Sequence, residues 1–124
     1  MSCRVLTKGH ILFLEHLTKM GEVTIGLLTS KALKGYKKEV VPYSDREYIL
    51  ETVAIALGSI DIEPQSSLDP SANLKKYHYD FIASGDGFEE SEEKAAKKYK
   101  VKLLNVKLPG ERKKRYSSSK ILNQ

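Results

Sequence analysis

Short apolar runs that alternate with helical stretches constrain the fold of this chain more than any other feature of its sequence. The run VTIGLL at residues 23–28 is almost continuously hydrophobic, which is typical of a strand covered on both faces. FIAS at residues 81–84 and VKLLNVKL at residues 101–108 are further extended segments. Strands joined through helices by short turns form right-handed crossovers, so the sequence predicts an α/β fold with a parallel sheet. Ligands of such sheets bind at the carboxyl ends of the strands.

The helices are predicted from apolar periodicity and capping signals. Apolar residues recur with helical spacing from Ile11 to Met20, and Gly21 ends that stripe. Ser44 and Glu47 have the spacing of a capping box at the start of a second helix. Residues 72–76 are predicted as a weak helical turn, and residues 89–100 as a charged helix with its acidic residues first. The inward-facing residues of the second helix are predicted to be Ile49, Leu50, Val53 and Leu57.

Size and charge narrow the class of protein further. With 124 residues the chain has room for one domain, predicted over residues 1–124. Lysine and arginine total 21 against 16 acidic residues, a net charge of +5 that favours phosphate compounds and RNA alike. The single cysteine, Cys3, cannot form an internal disulfide, and the opening residues contain no long apolar stretch. We therefore expect a cytoplasmic protein without a membrane segment.

The residues before the first helix are suited to binding a phosphate. The sequence Thr7-Lys8-Gly9-His10 stands at the point where unpaired backbone N–H groups and a partial positive charge attract anions. Gly9 allows a close approach of the backbone to an anion, while the His10 ring and the Thr7 hydroxyl can donate hydrogen bonds. An ordinary turn with a capping threonine is the competing interpretation.

The wider sequence resembles the cytidylyltransferase family of nucleotidyltransferases, which carries an H-x-G-H signature. KGHILFLEHLTKMGEVTIGLLTS follows the family's order of signature, helix, hydrophobic strand and TS turn. Tyr36 and Lys37 resemble its lysine segment, PYSDR at residues 42–46 its Y-x-x-R helix start, and SGD at residues 84–86 its G-D turn. RKKRYSSSKI at residues 112–121 resembles its closing motif. GLLTSKA and SSSK are most similar to cytidylyltransferases of phosphonate biosynthesis, and glycerol-3-phosphate cytidylyltransferases are close in pattern.

The resemblance implies a Rossmann-like parallel sheet flanked by helices, and transfer of CMP from CTP to a small phosphate or phosphonate acceptor with release of pyrophosphate. It also implies a homodimer and Mg²⁺ on the triphosphate, with Asp86 as a contact to the base or the metal. The residues it assigns to catalysis are His10, Lys37 and Arg112. Those it assigns to nucleotide binding are Thr7, Gly9, His10, Gly85, Asp86, Ser117 and Ser118.

The chain departs from the family pattern at several positions. Thr7 stands in place of the first signature histidine, as in phosphopantetheine adenylyltransferases, Arg4 in place of a usual aspartate and Arg115 in place of a usual glycine. The family's first strand, in the middle of the sheet, is expected to be missing. An adenylyltransferase, a catalytically impaired nucleotide-binding domain of the same fold, and a nucleic-acid binder that uses residues 112–115 stay open as alternatives. For Lys37 and Arg46 the competing interpretation is a solvated position on a basic surface, as for most basic residues.

Overall fold

The computed structural model describes residue 1, residues 6–34 and residues 41–107. Helices and strands alternate there in the predicted order, and β1 and β3 cover the predicted residues. Within the described residues, no helix combines the length and the apolar character needed to cross a bilayer. The elements are α1 (Lys8–Thr18), β1 (Val23–Leu28), α2 (Ser30–Lys34), α3 (Tyr43–Leu57), β2 (Ile60–Gln65), α4 (Ser71–Lys76), β3 (Phe81–Ser84), α5 (Glu90–Tyr99) and β4 (Lys102–Asn105).

The described strands pair in parallel, as predicted, but they form two small sheets rather than one. β1 pairs with β2, so that Ile25 lies opposite Ile62. β3 pairs with β4, so that Ile82 lies opposite Leu103. A helical segment lies between the strands of each pair, α3 in the first sheet and α5 in the second. This combination of parallel strands with helical crossovers confirms the α/β, Rossmann-like class.

Met1 occupies the edge of β1 that faces away from β2. Its amino group donates a hydrogen bond to the Gly26 carbonyl oxygen at 2.6 Å, and its carbonyl oxygen accepts one from the Leu28 N–H at 2.9 Å. Bonds to the residues on either side of Leu27 place Met1 opposite Leu27 in a parallel register. Met1 therefore stands at a position where a further parallel strand could end.

The core is divided between the two sheets. The first cluster of buried side chains joins α1, β1 and α3 and consists of Leu14, Ile25, Leu27 and Leu50. The second joins α4 and α5 to the start of β4 and consists of Leu74, Ala95 and Val101. Of the residues predicted to face inward from α3, Leu50 is fully buried and Val53 and Leu57 are partly buried. The prediction was wrong for Ile49, which is 43% exposed, because it lies beside rather than on the face that packs on the sheet.

The predicted capping box at Ser44 and Glu47 is not formed. The N-cap of α3 is Pro42, two residues before the predicted cap Ser44, so Ser44 is already inside the first turn, and the Pro42 side chain makes no capping hydrogen bond. The Pro42 carbonyl accepts the Arg46 N–H at 3.2 Å, which makes proline the residue that starts the helix. Proline's restricted φ fixes the direction in which the chain enters α3, and a serine cap is not required.

Candidate functional site

The start of α1 brings together the predicted site residues Thr7, Gly9 and His10. Thr7 is the N-cap residue, and its hydroxyl oxygen accepts a hydrogen bond from the His10 backbone N–H at 3.3 Å. In return, the Thr7 backbone N–H donates to Nδ1 of His10 at 3.1 Å. These two bonds make a capping box in which histidine takes the position that glutamate or glutamine usually has.

The electrostatics of this helix start favour an anion. α1 has no acidic residue in its first turn, so nothing of the helix itself neutralises the partial positive charge there. Backbone N–H groups of the first turn point outward from the helix end, the arrangement that binds phosphate oxygens in many nucleotide sites. Gly9 and His10 are both partly exposed, whereas Thr7 is only 5% exposed. A ligand would therefore meet Gly9 and His10 before it met the Thr7 side chain.

The turn after β3 carries the other described site residues, Gly85 and Asp86. The Ser84 hydroxyl donates to the Gly87 carbonyl at 2.6 Å and accepts from the Asp86 N–H at 3.2 Å, so it closes the turn from inside. Gly87 has a φ of 93°, a left-handed value that glycine adopts without strain. The Asp86 side chain is exposed. The turn therefore presents a carboxylate at the carboxyl end of β3.

Helix α1 links these two parts of the site. A Cβ added at Gly85 would lie 3.9 Å from Cδ2 of Phe13, so the turn after β3 packs against α1. Phe13 is three residues after His10, on the same side of the helix. The neighbouring Leu14 is buried in the cluster with Ile25 and Leu27 of β1. The Gly85–Asp86 turn therefore packs against α1 about one helical turn after His10.

Arg46 fixes the structure at the carboxyl end of β1. Its guanidinium donates to the Leu28 carbonyl at 2.6 Å and to the Ser30 hydroxyl at 3.4 Å, and its Nε donates to the Val41 carbonyl at 2.8 Å. The competing interpretation of Arg46 as a solvated surface residue is wrong, because its side chain is 0% exposed. The reason is that backbone carbonyls left unpaired where β1 and α3 meet need donors, and a planar guanidinium can supply several at once.

This role of Arg46 also bears on the predicted lysine segment. Arg46 ties the chain before residues 35–40, at Leu28 and Ser30, to the chain after them, at Val41. Lys37 belongs to those residues and lies outside the described part of the chain. Sequence reasoning assigned Arg46 to the Y-x-x-R resemblance without a structural role. One signal could have indicated a structural role: Arg46 stands near the start of the helix that follows the first strand and its connection.

Tyr43 gives the site region a pH-dependent contribution to stability. Burial raises the pKa of its hydroxyl above the usual 10.0, and the nearby Glu47 carboxylate raises that pKa further. The hydroxyl oxygen is buried, with no hydrogen-bond partner among the described residues. The folded state thus holds this proton more tightly than the unfolded state, so the contribution is complete below pH 10 and is lost as the pH rises through the folded-state pKa.

We therefore expect the melting temperature of the chain to fall more steeply above about pH 10 than that of Tyr43→Phe. The variant has no hydroxyl to ionise, and the remaining tyrosines and lysines titrate in both proteins. At neutral pH the variant should melt at the same temperature or slightly higher, because it buries no unpaired hydroxyl. Circular dichroism melts at a series of pH values measure both effects. If the melting temperatures of the two proteins changed with pH in parallel, the assignment of this pH dependence to the Tyr43 hydroxyl would be contradicted.

The described residues do not form a dedicated metal site: none of them belong to a group of three or more His, Cys, Asp or Glu side chains placed to hold an ion. A magnesium ion bound to phosphate oxygens needs fewer protein ligands, because it keeps several waters and takes one or two carboxylates. The exposed carboxylate of Asp86, on a turn that packs against α1, fits that requirement.

The remaining predicted site residues, Lys37, Arg112, Ser117 and Ser118, lie outside the described residues, and so do the departures at Arg4 and Arg115. The structure thus brings together five of the predicted positions, namely Thr7, Gly9, His10, Gly85 and Asp86, in two groups connected by α1. The functional assignments of all nine residues stay predictions.

Parallel strands, a helix start suited to phosphate and a turn with a carboxylate that packs against the same helix are features found in α/β proteins that bind nucleotides. The chain matches the Cytidylyltransferase-like family over residues 5–124, nearly its whole length. It therefore belongs to this family. The match confirms the predicted family, while the closer similarity to phosphonate or glycerol-3-phosphate cytidylyltransferases stays a prediction. No curated protein matches the sequence significantly.

Proposed function

We propose that this protein is a nucleotidyltransferase that transfers CMP from CTP to a small phosphate or phosphonate acceptor. Membership of the Cytidylyltransferase-like family supports nucleotidyltransfer in general. The observation that carries the proposal is the start of α1, where His10 is held in a capping box beside outward-facing backbone N–H groups. The choice of CTP and of the acceptor rests on the sequence resemblance.

The reaction needs positive charge and hydrogen-bond donors rather than a protein nucleophile. An acceptor oxygen attacks the α-phosphorus and forms a new P–O bond, while the bond to the bridging oxygen breaks and pyrophosphate leaves with that electron pair. The first turn of α1 and the His10 ring would bind phosphate oxygens and stabilise the charge that develops at the α-phosphorus. Lys37 and Arg112 would neutralise phosphate charge, and Ser117 and Ser118 would bind phosphate oxygens from a second side.

Mg²⁺ belongs to this proposal as a partner of the triphosphate. When bound, it would neutralise charge on the phosphate oxygens and so help pyrophosphate to leave. Among the described residues, Asp86 is the carboxylate that would contact it or the base, from a turn whose shape Ser84 maintains.

The decisive experiment is a matrix of nucleotides and acceptors monitored for pyrophosphate, with His10→Ala beside the unaltered chain. Loss of a preorganised donor to the developing charge is expected to lower kcat by about 100-fold or more. His16→Ala is the matched control, because His16 is exposed in the last turn of the same helix and should leave kcat unchanged. An unchanged rate in His10→Ala would remove His10 from the mechanism.

A catalytically impaired nucleotide-binding domain is the second candidate, and the edge of β1 favours it. Among the described residues, Met1 alone pairs with that edge, and the described strands form two sheets rather than one. A domain of this kind would bind CTP in a calorimeter without releasing pyrophosphate from any pair in the matrix. Pyrophosphate release that depends on His10 would exclude it.

A further inference from the structure

Thr7 and His10 are connected by more than a simple helix cap. The Thr7 N–H donates to Nδ1 of the ring at 3.1 Å, the His10 N–H donates to the Thr7 hydroxyl oxygen at 3.3 Å, and the same oxygen lies 3.3 Å from Nδ1. Thr7 is 5% exposed and His10 is partly exposed, so these contacts are partly buried. The threonine side chain and backbone therefore hold one end of the imidazole from two directions.

We infer that Thr7 is a positioning residue for His10, not a ligand of the phosphate, and that it holds the imidazole with its ring hydrogen on Nε2. This inference rests on the proposed function for its consequence in catalysis. The family resemblance assigned the Thr7 hydroxyl to nucleotide binding, and the geometry assigns that hydroxyl to the helix start instead.

The direction of the hydrogen bond decides which nitrogen carries the hydrogen. A backbone N–H can only donate, so Nδ1 of His10 must offer its lone pair to Thr7. The neutral ring then carries its one hydrogen on Nε2. Because the two nitrogens lie on different sides of the ring, anchoring Nδ1 against Thr7 also fixes the direction of the Nε2–H bond.

A fixed Nε2–H gives His10 a donor that is oriented before the substrate arrives. Stabilisation of developing charge is effective when the donor needs no reorganisation during the reaction. A side chain that must first find its orientation loses this advantage, and small displacements of a reacting or stabilising group can cost a large factor in rate. Thr7 would thus affect the rate constant kcat without touching the nucleotide.

The hydrogen bond itself can be tested without any substrate. In a nitrogen-labelled sample of the full chain, a scalar coupling between the Thr7 amide nitrogen and His10 Nδ1 is expected across the N–H···N bond, with the ring hydrogen detected on Nε2. His10→Ala identifies the His10 signals among those of the three histidines. Absence of the coupling, or a ring hydrogen on Nδ1, would overturn the inference whatever the enzyme's activity.

The kinetic test compares Thr7→Val, Thr7→Ser and Thr18→Val. Thr7→Val removes the hydroxyl with little change in shape and should lower kcat about tenfold, while the KM for the nucleotide changes less than about twofold. Thr7→Ser restores the hydroxyl and should recover most of kcat. Thr18→Val is the matched control and should leave kcat unchanged, because the Thr18 hydroxyl, in the last turn of α1, donates its hydrogen bond to the Glu15 carbonyl.

The outcomes separate the two levels of the proposal. A raised KM with unchanged kcat in Thr7→Val would mark Thr7 as a ligand and overturn the positioning role. Wild-type values for both constants in Thr7→Val would overturn it as well. Absence of turnover in the unaltered chain would overturn the proposed function, and the scalar coupling would still confirm or refute the placement of His10 by Thr7.

Discussion

Arg46→Met is expected to destabilise the chain by about 3 kcal/mol or more, with the melting temperature lowered by roughly 10 °C. Methionine keeps a long apolar side chain but has no donors. The Leu28 and Val41 carbonyls would then lose the hydrogen bonds they receive at 2.6 and 2.8 Å. Each buried polar group left unpaired costs about 1–3 kcal/mol. The contact of the guanidinium with the face of Tyr43, 5.5 Å from the ring centre, would be lost too.

Lys34→Met is the matched control for this experiment. It also replaces a cationic side chain by methionine close to the same connection, but Lys34 is exposed at the end of α2. Its effect should stay within about 0.5 kcal/mol. Arg46→Lys tests the planar geometry, because one ammonium cannot reach all three oxygens and should recover only part of the loss. Equal melting temperatures for Arg46→Met and Lys34→Met in circular dichroism would refute the role of Arg46.

The positions of the strands and of the charged helix could be predicted from the sequence because their patterns are local. VTIGLL and FIAS are apolar runs of strand length bounded by turns, and they form β1 and β3 over the predicted residues. In α5 the acidic residues come first and the lysines last, and the helix covers Glu90–Tyr99 within the predicted range. These elements depend on neighbours in the sequence, so the sequence alone places them.

Long-range pairing could not be predicted in the same way. The sequence left a solvated position open for Arg46, because basic residues are mostly exposed. Arg46 is buried because carbonyls 5 and 18 residues away need its donors. The division into two sheets likewise depends on which strand edges meet, which no local pattern encodes.

The candidate site was predicted in part. The helix start and the Gly85–Asp86 turn were located by their motifs, and the structure connects them through Phe13. The capping box between Thr7 and His10 was missed, because histidine is not among the usual acceptors at that position. The sequence did contain a signal. Thr7 can cap a helix, and three residues later His10 has a ring nitrogen that can accept a hydrogen bond.

The second large expected effect concerns the edge of β1 that faces away from β2, where Met1 pairs. Alternate residues of β1 direct their backbone groups to opposite sides of the strand. Those of Thr24 and Gly26 point away from β2, toward the side where Met1 pairs. Across α1, the turn after β3 packs on Phe13 while β1 packs on Leu14, so the same helix covers both sheets. A strand that ran toward Met1 beside β1 would satisfy edge groups of β1 and extend the first core cluster.

Adding about five alternating, β-branched residues before Met1 is therefore expected to raise the melting temperature, by about 4 °C or more. With Met1 opposite Leu27, the residue before it would lie opposite Gly26, and four added residues would reach Val23. Each new ladder hydrogen bond contributes about 1 kcal/mol, and the added side chains bury apolar area as well. An extension of equal length made of glycine and serine is the control, since it offers the same backbone groups without strand propensity or apolar surface. The midpoints are measured at several protein concentrations to detect pairing between copies. Equal midpoints for the two extended chains and the unextended chain would reject the assignment of this edge as a place where a further strand can pair.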